Sequence, residues 1–190
     1  ALDGPARGFV MLALDSKPIS AESLKIVPEK ATFCSVSRFD FNGVLNQIRG
    51  LLDANDAKQF DEAMGQARQR LGLDLEKDVL AVLGDTWVLY DVGGTEFLGL
   101  LPSMGLAVNL KDAAKAGKVI ESISGFFQRE LANFAGFGPQ AVLRDVKLGE
   151  HQVRYLSVSS MPMSPSVVVV KDRLLMTMSV AGMRRALAQL

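Results

Sequence analysis

Few residues in this chain have side chains that could take part in catalysis. His151 is the only histidine, and it lies in the predicted hairpin turn "LGEHQV". A Ser-His-Asp or Cys-His site would therefore have to be built on an imidazole at the tip of a turn. Cys34 is the only cysteine, which excludes an internal disulfide, and its neighbours in "ATFCSV" predict a small buried side chain. We predict no catalytic residue, with a hydrolase assembled from scattered Asp and Ser residues left open as an alternative.

The carboxylates give no paired site either. Asp85 and Asp91 lie six residues apart on one predicted strand, so they cannot converge locally for acid-base catalysis, and each is interpreted as a turn residue. The stretch "DANDAKQFDEAM" resembles a calcium loop, but Lys58 takes the position that requires glycine. We interpret it as a turn between two helices, capped by Asn55 or Asp56.

Four methionines, Met161, Met163, Met176 and Met178, lie on or beside the last predicted hairpin. A Met-x-Met strand places both thioethers on one face, and soft thioethers suit Cu(I). Methionine is also a common filler of hydrophobic cores. We interpret these residues as core and predict no metal site and no cofactor.

Phenylalanines at four positions crowd the end of a long predicted helix and the loop after it: Phe126, Phe127, Phe134 and Phe137. The simplest interpretation is that they belong to the core. Otherwise they line an apolar groove or a docking face, and they are then the candidate ligand-binding residues.

The charge and hydropathy of the chain limit its partners. Among 190 residues, 21 Lys and Arg balance 21 Asp and Glu, so no net field attracts nucleic acid, which we exclude as a partner. Hydrophobic residues make up 48% and the mean hydropathy is +0.19, which indicates a large interior or a covered apolar surface. The longest apolar runs, "GFVMLAL" and "FLGLLPSMGLAV", are too short to span a bilayer.

The spacing of apolar residues predicts the elements that would position these side chains. The first set comprises strands at 8–14, 31–37, 86–92 and 96–101, helices from Asp40 and over 56–71 and 74–83, and a hairpin turn at Gly93-Gly94. The second set comprises a strand from Gly105, a long helix, hairpins around Gly149-Glu150 and Lys171-Asp172, and a helix capped by Ser179.

A weak internal repeat relates these two sets. When Asp40 is aligned with Asp112, apolar residues coincide four, eight and eleven positions later. We predict an α+β fold of two strand-helix-hairpin units, with antiparallel or mixed sheets and helices packed on one face. Residues 1–30 would be the end of a preceding unit and a linker, 31–102 the first unit and 103–190 the second, either separate or merged.

Three stretches resemble a family of uncharacterised, commonly exported bacterial proteins built from repeated α+β units. They are "IVPEKATFCSVSRFDFNGVLNQI", "LGLDLEKDVLAVLGDTWVLY" and "VVVVKDRLLMTMSVAGMRRAL". Arg173 stands where such hairpins often have glycine. The resemblance covers about 26–190 and implies a location in the cell envelope or periplasm, with a cytoplasmic location as the alternative. It supplies no catalytic residue.

These observations favour a non-enzymatic binding or structural module of a bacterial cell-envelope protein. Its partner would be another protein or an apolar ligand. The alternative is a carrier of a lipid-like ligand, held in a groove lined by Phe126, Phe127, Phe134 and Phe137.

Overall fold

The fold was analysed in a computed structural model, which describes residues 18–19, 21–24, 27, 31–96, 101–133, 141–158 and 163–190. The helices are α1 Ala21–Leu24, α2 Phe41–Leu51, α3 Ala54–Leu71, α4 Ala113–Asn133 and α5 Val180–Leu187, with a π-helix at Leu75–Leu80. The strands are β1 Cys34–Arg38, β2 Leu83–Glu96, β3 Leu101–Leu110, β4 Ala141–Leu148, β5 His151–Val158, β6 Ser166–Val170 and β7 Arg173–Thr177. The strand predicted at 8–14 lies outside the described residues.

The described strands form one seven-stranded antiparallel sheet in the order β1-β2-β3-β7-β6-β5-β4. The predicted α+β class is therefore confirmed. Strands β2 and β3, which the sequence assigned to different units, are neighbours in this sheet. Within the sheet, the hairpins predicted around Gly149-Glu150 and Lys171-Asp172 join β4 to β5 and β6 to β7.

The hairpin predicted at Gly93-Gly94 is not a turn. Strand β2 runs through both glycines to Glu96, and its register against β3 shifts between Asp91 and Thr95. Both glycines have positive φ, at 79° and 78°, so they form a bulge in a continuous strand. A Gly-Gly pair suits a hairpin turn and a bulge equally well, because both require positive φ. Here the strand continues past the pair to Glu96 and stays paired with β3.

Side-chain caps stabilise the first turns of α2, α3 and α5. Asp40 accepts a hydrogen bond from Asn42 N at the start of α2, and Ser179 Oγ accepts one from Gly182 N at the start of α5, as the sequence predicted. Helix α3 is capped by Asp53, whose Oδ1 accepts bonds from the backbone N–H groups of Asn55 and Asp56. The prediction of Asn55 or Asp56 as the cap was therefore wrong, since the cap lies two or three residues earlier.

One face of the sheet carries the main core, and we call it the closed face. Val88, Ala107, Leu175 and Val168 lie side by side across β2, β3, β7 and β6, and all are at most 5% exposed. Helix α5 packs on this face through Met183, which is 0% exposed. Burial of apolar side chains is the dominant favourable contribution to folding, and on the closed face these residues supply it.

Tyr90 is the largest fully buried side chain of the closed face, at 1% exposed. Its ring lies over Gly105 on β3, where an added Cβ would stand 3.0 Å from Tyr90 Cζ and 2.7 Å from Val92 Cγ1. Burial raises the pKa of the Tyr90 phenol to about 12, against a smaller opposing effect of Arg173. The tyrosine therefore stays neutral and acts as a core residue.

Hydroxyl groups fix the approach of α5 to the sheet. Ser166 Oγ and Thr177 Oγ1, on neighbouring strands, lie 2.9 Å apart, and both contact the carbonyl oxygen of Ser179 at 3.0 and 2.8 Å. Arg185 Nη2 donates to Ser103 Oγ at 2.9 Å. These contacts satisfy polar groups that burial would otherwise leave at a cost in free energy.

The second face of the sheet is covered only in part. Helix α4 packs there through Ala116, beside Leu174 and Val169. Helices therefore lie on both faces, and the prediction that they pack on one face was wrong. Strands β6 and β7 are apolar at nearly every position, so both faces of the sheet bind a helix.

Replacement of Gly105 by alanine tests the close approach of Tyr90. We expect Gly105→Ala to lower the free energy of unfolding by about 1–3 kcal/mol, because the new methyl group has no space beneath the ring. Gly50→Ala is the matched control, since Gly50 lies in exposed α2 with nothing within 4 Å of an added Cβ, and it should raise stability by about 0.5–1 kcal/mol. Urea unfolding measures both, and equal effects would contradict the packing.

Candidate functional site

The two candidate acid-base residues are held apart in separate structural contacts. Asp85 forms an ion pair with Arg38 of β1 and accepts a hydrogen bond from Thr86 Oγ1. Burial alone would raise the pKa of Asp85, but the hydrogen bonds from Arg38 and Thr86 outweigh it and hold the pKa below its usual value. Asp91 accepts bonds from Thr32 Oγ1 and Gly93 N. Both belong to β2, so the prediction that they are turn residues was wrong.

His151 and Cys34 have no neighbours that would activate them for nucleophilic attack within the described residues. His151 is half-buried and begins β5, opposite Leu148 at the hairpin end. Cys34 is exposed, and the prediction that it is buried was wrong, because it lies on β1, the outermost described strand on that side of the sheet. Desolvation raises the pKa of the Cys34 thiol, which therefore stays protonated at neutral pH.

Among the residues that the structure describes, no group of three His, Cys, Asp or Glu side chains is placed to hold a metal ion. The carboxylates around the π-helix instead pair with cations. Arg49 contacts Glu76 and Asp61, and Lys115 contacts Asp78 at 3.3 Å. These pairs join α2 to α3 and join α2 and α4 to the π-helix, so these described carboxylates are held by cationic side chains.

A depression with an interior volume of about 10 Å³ lies at the start of α2, beside Asp40, Asp85 and Lys111. That volume is about the space of one water molecule and far below the roughly 300–1,000 Å³ of pockets that hold drug-sized ligands. Asp40 is engaged as the helix cap and Asp85 as the partner of Arg38. The depression is therefore a gap between elements of the scaffold.

The predicted phenylalanine site is described only in part. Phe126 and Phe127 lie on α4 with their ring centroids 5.9 Å apart in an edge-to-face arrangement. Phe127 is 52% exposed, whereas Phe126 is half-buried. Phe134 and Phe137 lie outside the described residues, so the structure brings together only two of the four.

No family model, curated protein or solved structure matches this chain. Helices long and apolar enough to cross a membrane are absent from the described part of the chain. The geometry of the chain itself is therefore the basis for a functional proposal.

The described helices leave an apolar surface uncovered on the second face of the sheet, and we call it the open patch. A single row crosses four strands from Leu89 through Leu106 and Met176 to Val167. Met104 and Met178 follow on β3 and at the end of β7. Leu89 is 39% and Met178 42% exposed, and the other four side chains are half-buried. Contiguous apolar surface of this kind is typical of interaction sites.

The open patch corrects the interpretation of the methionines as core. Met176 is half-buried and Met178 is exposed, whereas Leu175 and Thr177 between and beside them are buried on the closed face. Met163 is half-buried, and Met161 lies outside the described residues. The sequence signal was present in "RLLMTM", but apolar residues at adjacent positions do not indicate which face is the deeper one.

A charged row continues from the open patch to the edge of the sheet. Val167 lies opposite Arg154, which forms a two-pronged ion pair with Asp145 of β4 at 2.9 and 3.1 Å. The hydrogen bond from Arg154 lowers the pKa of Asp145, and burial opposes it with a smaller effect. Glu121 of α4 adds a favourable charge toward Arg154. This pair fixes the register of β4 and β5 beside the patch.

The stability contributed by Asp145 should depend on pH in a defined direction. Its folded-state pKa is depressed, so the contribution is fully present above the unfolded value of about 3.9 and is lost as the pH falls through the folded value. We expect the stability gap between the wild type and Asp145→Asn to shrink below about pH 4. Urea unfolding from pH 7 to pH 3 measures it. Asp145→Asn/Arg154→Gln should follow the same pH dependence as Asp145→Asn, and a gap between the wild type and Asp145→Asn that widens in acid would contradict the pairing.

Proposed function

We propose that this chain is a non-enzymatic binding module of a bacterial cell-envelope protein and that it acts through the open patch. The observation that carries the proposal is the difference between the two faces of the sheet. Helix α5 covers the closed face. On the open patch, by contrast, the apolar side chains of Leu89 and Met178 are each about two-fifths exposed. Partners that bury such a row gain about 25 cal/mol for each Å² of apolar surface removed from water.

The location in the envelope or periplasm is part of this proposal and rests on the resemblance of the sequence to exported proteins. The contacts of the candidate chemical groups support a non-enzymatic role. Asp85, Asp91 and Asp40 each have a structural partner, and the thiol of Cys34 has a raised pKa. Fractionation of cells of the native host should recover the protein with the envelope fraction.

We further propose that the fold derives from two units, 31–102 and 103–190. Asp40 and Asp112 each stand two residues after the last residue of a strand and directly before a helix. Their carbonyl oxygens accept bonds from Val44 N and Ala116 N, both at 3.0 Å, and their carboxylates accept bonds from N–H groups of the first helical turn. The equivalent capping supports the sequence repeat.

Photo-crosslinking tests the role of the open patch. Benzoylphenylalanine placed at Leu89 should give a discrete adduct in the native host, because this side chain is at the exposed end of the row. The matched control is Lys58 on α3, which is 77% exposed and lies outside the patch. Met178→Glu should remove the adduct at Leu89 without unfolding the protein. Adducts of equal yield at both positions, or no effect of Met178→Glu, would contradict the proposal.

A second candidate function, a carrier of a lipid-like ligand, is favoured by the exposed Phe127 beside Phe126. A bound acyl chain would cover this aromatic pair. Native mass spectrometry of the purified protein then shows a co-purifying lipid, which Phe127→Ser removes. A protein mass without ligand, from gentle purification out of the native host, would contradict the carrier role and leave the docking role unaffected.

A further inference from the structure

Three methionines lie on or beside the open patch, on β3, on β7 and directly after β7. Leu106 lies opposite Met176, and Gly105 lies opposite Thr177. Met104 is the next residue on β3 beyond this last pair, and Met178 directly follows the end of β7. Gly105 and Thr177 are buried on the closed face, so alternation places the side chains of Met104 and Met176 on the open patch. Met178 is 42% exposed between the buried Thr177 and Ser179, so its side chain points away from the closed face, beside the patch.

The spacing of these positions allows the three sulfur atoms to meet. Residues directly opposite in an antiparallel pair have Cβ atoms about 4.5–5.5 Å apart, and diagonal neighbours are about 7–8 Å apart. Residues two apart on one strand are separated by about 7 Å. The methionine side chain is unbranched with three rotatable bonds, so thioethers from Met104, Met176 and Met178 can turn toward one common point.

Burial distinguishes these methionines from the one that fills the core. Met183 on α5 is 0% exposed and belongs to the main hydrophobic cluster. Met178 is 42% exposed, and Met104 and Met176 are half-buried. An ion can therefore reach Met178 from water, while its two partners lie on a floor formed by the apolar side chains of the sheet.

We propose that Met104, Met176 and Met178 bind a monovalent soft metal ion, Cu(I) or its analogue Ag(I), through three thioethers. Thioether sulfur selects Cu(I) over the hard cations Mg²⁺ and Ca²⁺, which require oxygen ligands. The three thioether ligands are neutral, and the carboxylate of Asp91, which lies opposite Met104 on β2, accepts hydrogen bonds from Thr32 Oγ1 and Gly93 N. The proposal goes beyond the docking role, since it assigns a ligand to these three side chains whatever protein contacts the patch.

The experiment is a titration of the purified chain with silver nitrate in chloride-free buffer, followed by NMR of methyl-¹³C methionine. All proteins carry Cys34→Ser, because the exposed thiol is itself a soft ligand. We expect the methyl signals of Met104, Met176 and Met178 to shift together and to saturate at one equivalent. Those of Met64 on α3 and Met183 in the core should not move.

Variants identify the ligands. Met104→Leu/Met176→Leu/Met178→Leu conserves volume and apolarity and should weaken Ag(I) binding at least about 30-fold. Met178→Leu alone changes an exposed side chain, so it keeps the fold and should weaken binding about 10-fold. Met64→Leu is the matched control with unchanged affinity. Competition with a Cu(I) chelator should give the same order.

Two results would overturn the metal site. One is Ag(I) affinity that is unchanged in the folded Met178→Leu and triple leucine variants. The other is a titration to several equivalents without shifts at the three methyl groups. Neither result bears on the crosslink at Leu89, so failure of the metal site and failure of the docking role are distinguishable.

Discussion

The structure depends on the close packing of α5 against the centre of the closed face. Met183 is part of the main core, α5 packs against β2, β3 and β7, and the Tyr90 ring lies close to Gly105 because that position has no side chain. Hydroxyl contacts from Ser166 and Thr177 to the carbonyl oxygen of Ser179 fix where α5 begins. The helix has only eight residues and would be unstable alone, so its stability comes from this packing.

The same packing explains why one surface stays uncovered. A sheet whose strands are apolar on both faces must bury both or leave one for a partner. Helix α4 starts beside Leu110 and covers Leu174 and Val169, and the next row of the sheet, with Leu89 and Met176, is only half-covered. The open patch is therefore the part of the second face that the described helices of this chain do not reach.

The sequence allowed prediction of the features that depend on neighbouring residues. The caps at Asp40 and Ser179 and the turn at Lys171-Asp172 follow from local hydrogen bonding and backbone preference, and these predictions were confirmed. The pairing of β3 with β7 involves residues far apart in the chain, which local patterns do not specify. Strands β2 and β3 are consecutive, but the bulge between Asp91 and Thr95 extends their pairing past the predicted turn. The role of Gly93-Gly94 depended on that pairing, because positive φ suits a bulge as well as a hairpin turn.

The candidate site was hidden for a related physical reason. Met176 and Met178 lie in a run where polar residues are rare, so alternation identifies two faces without ranking their burial. The face that binds Met183 of α5 becomes the more deeply buried one, and α5 follows β7 in the sequence. The surface chemistry of this sheet is therefore set by the position of α5, and the thioethers of the open patch are accessible because α5 packs on the opposite face.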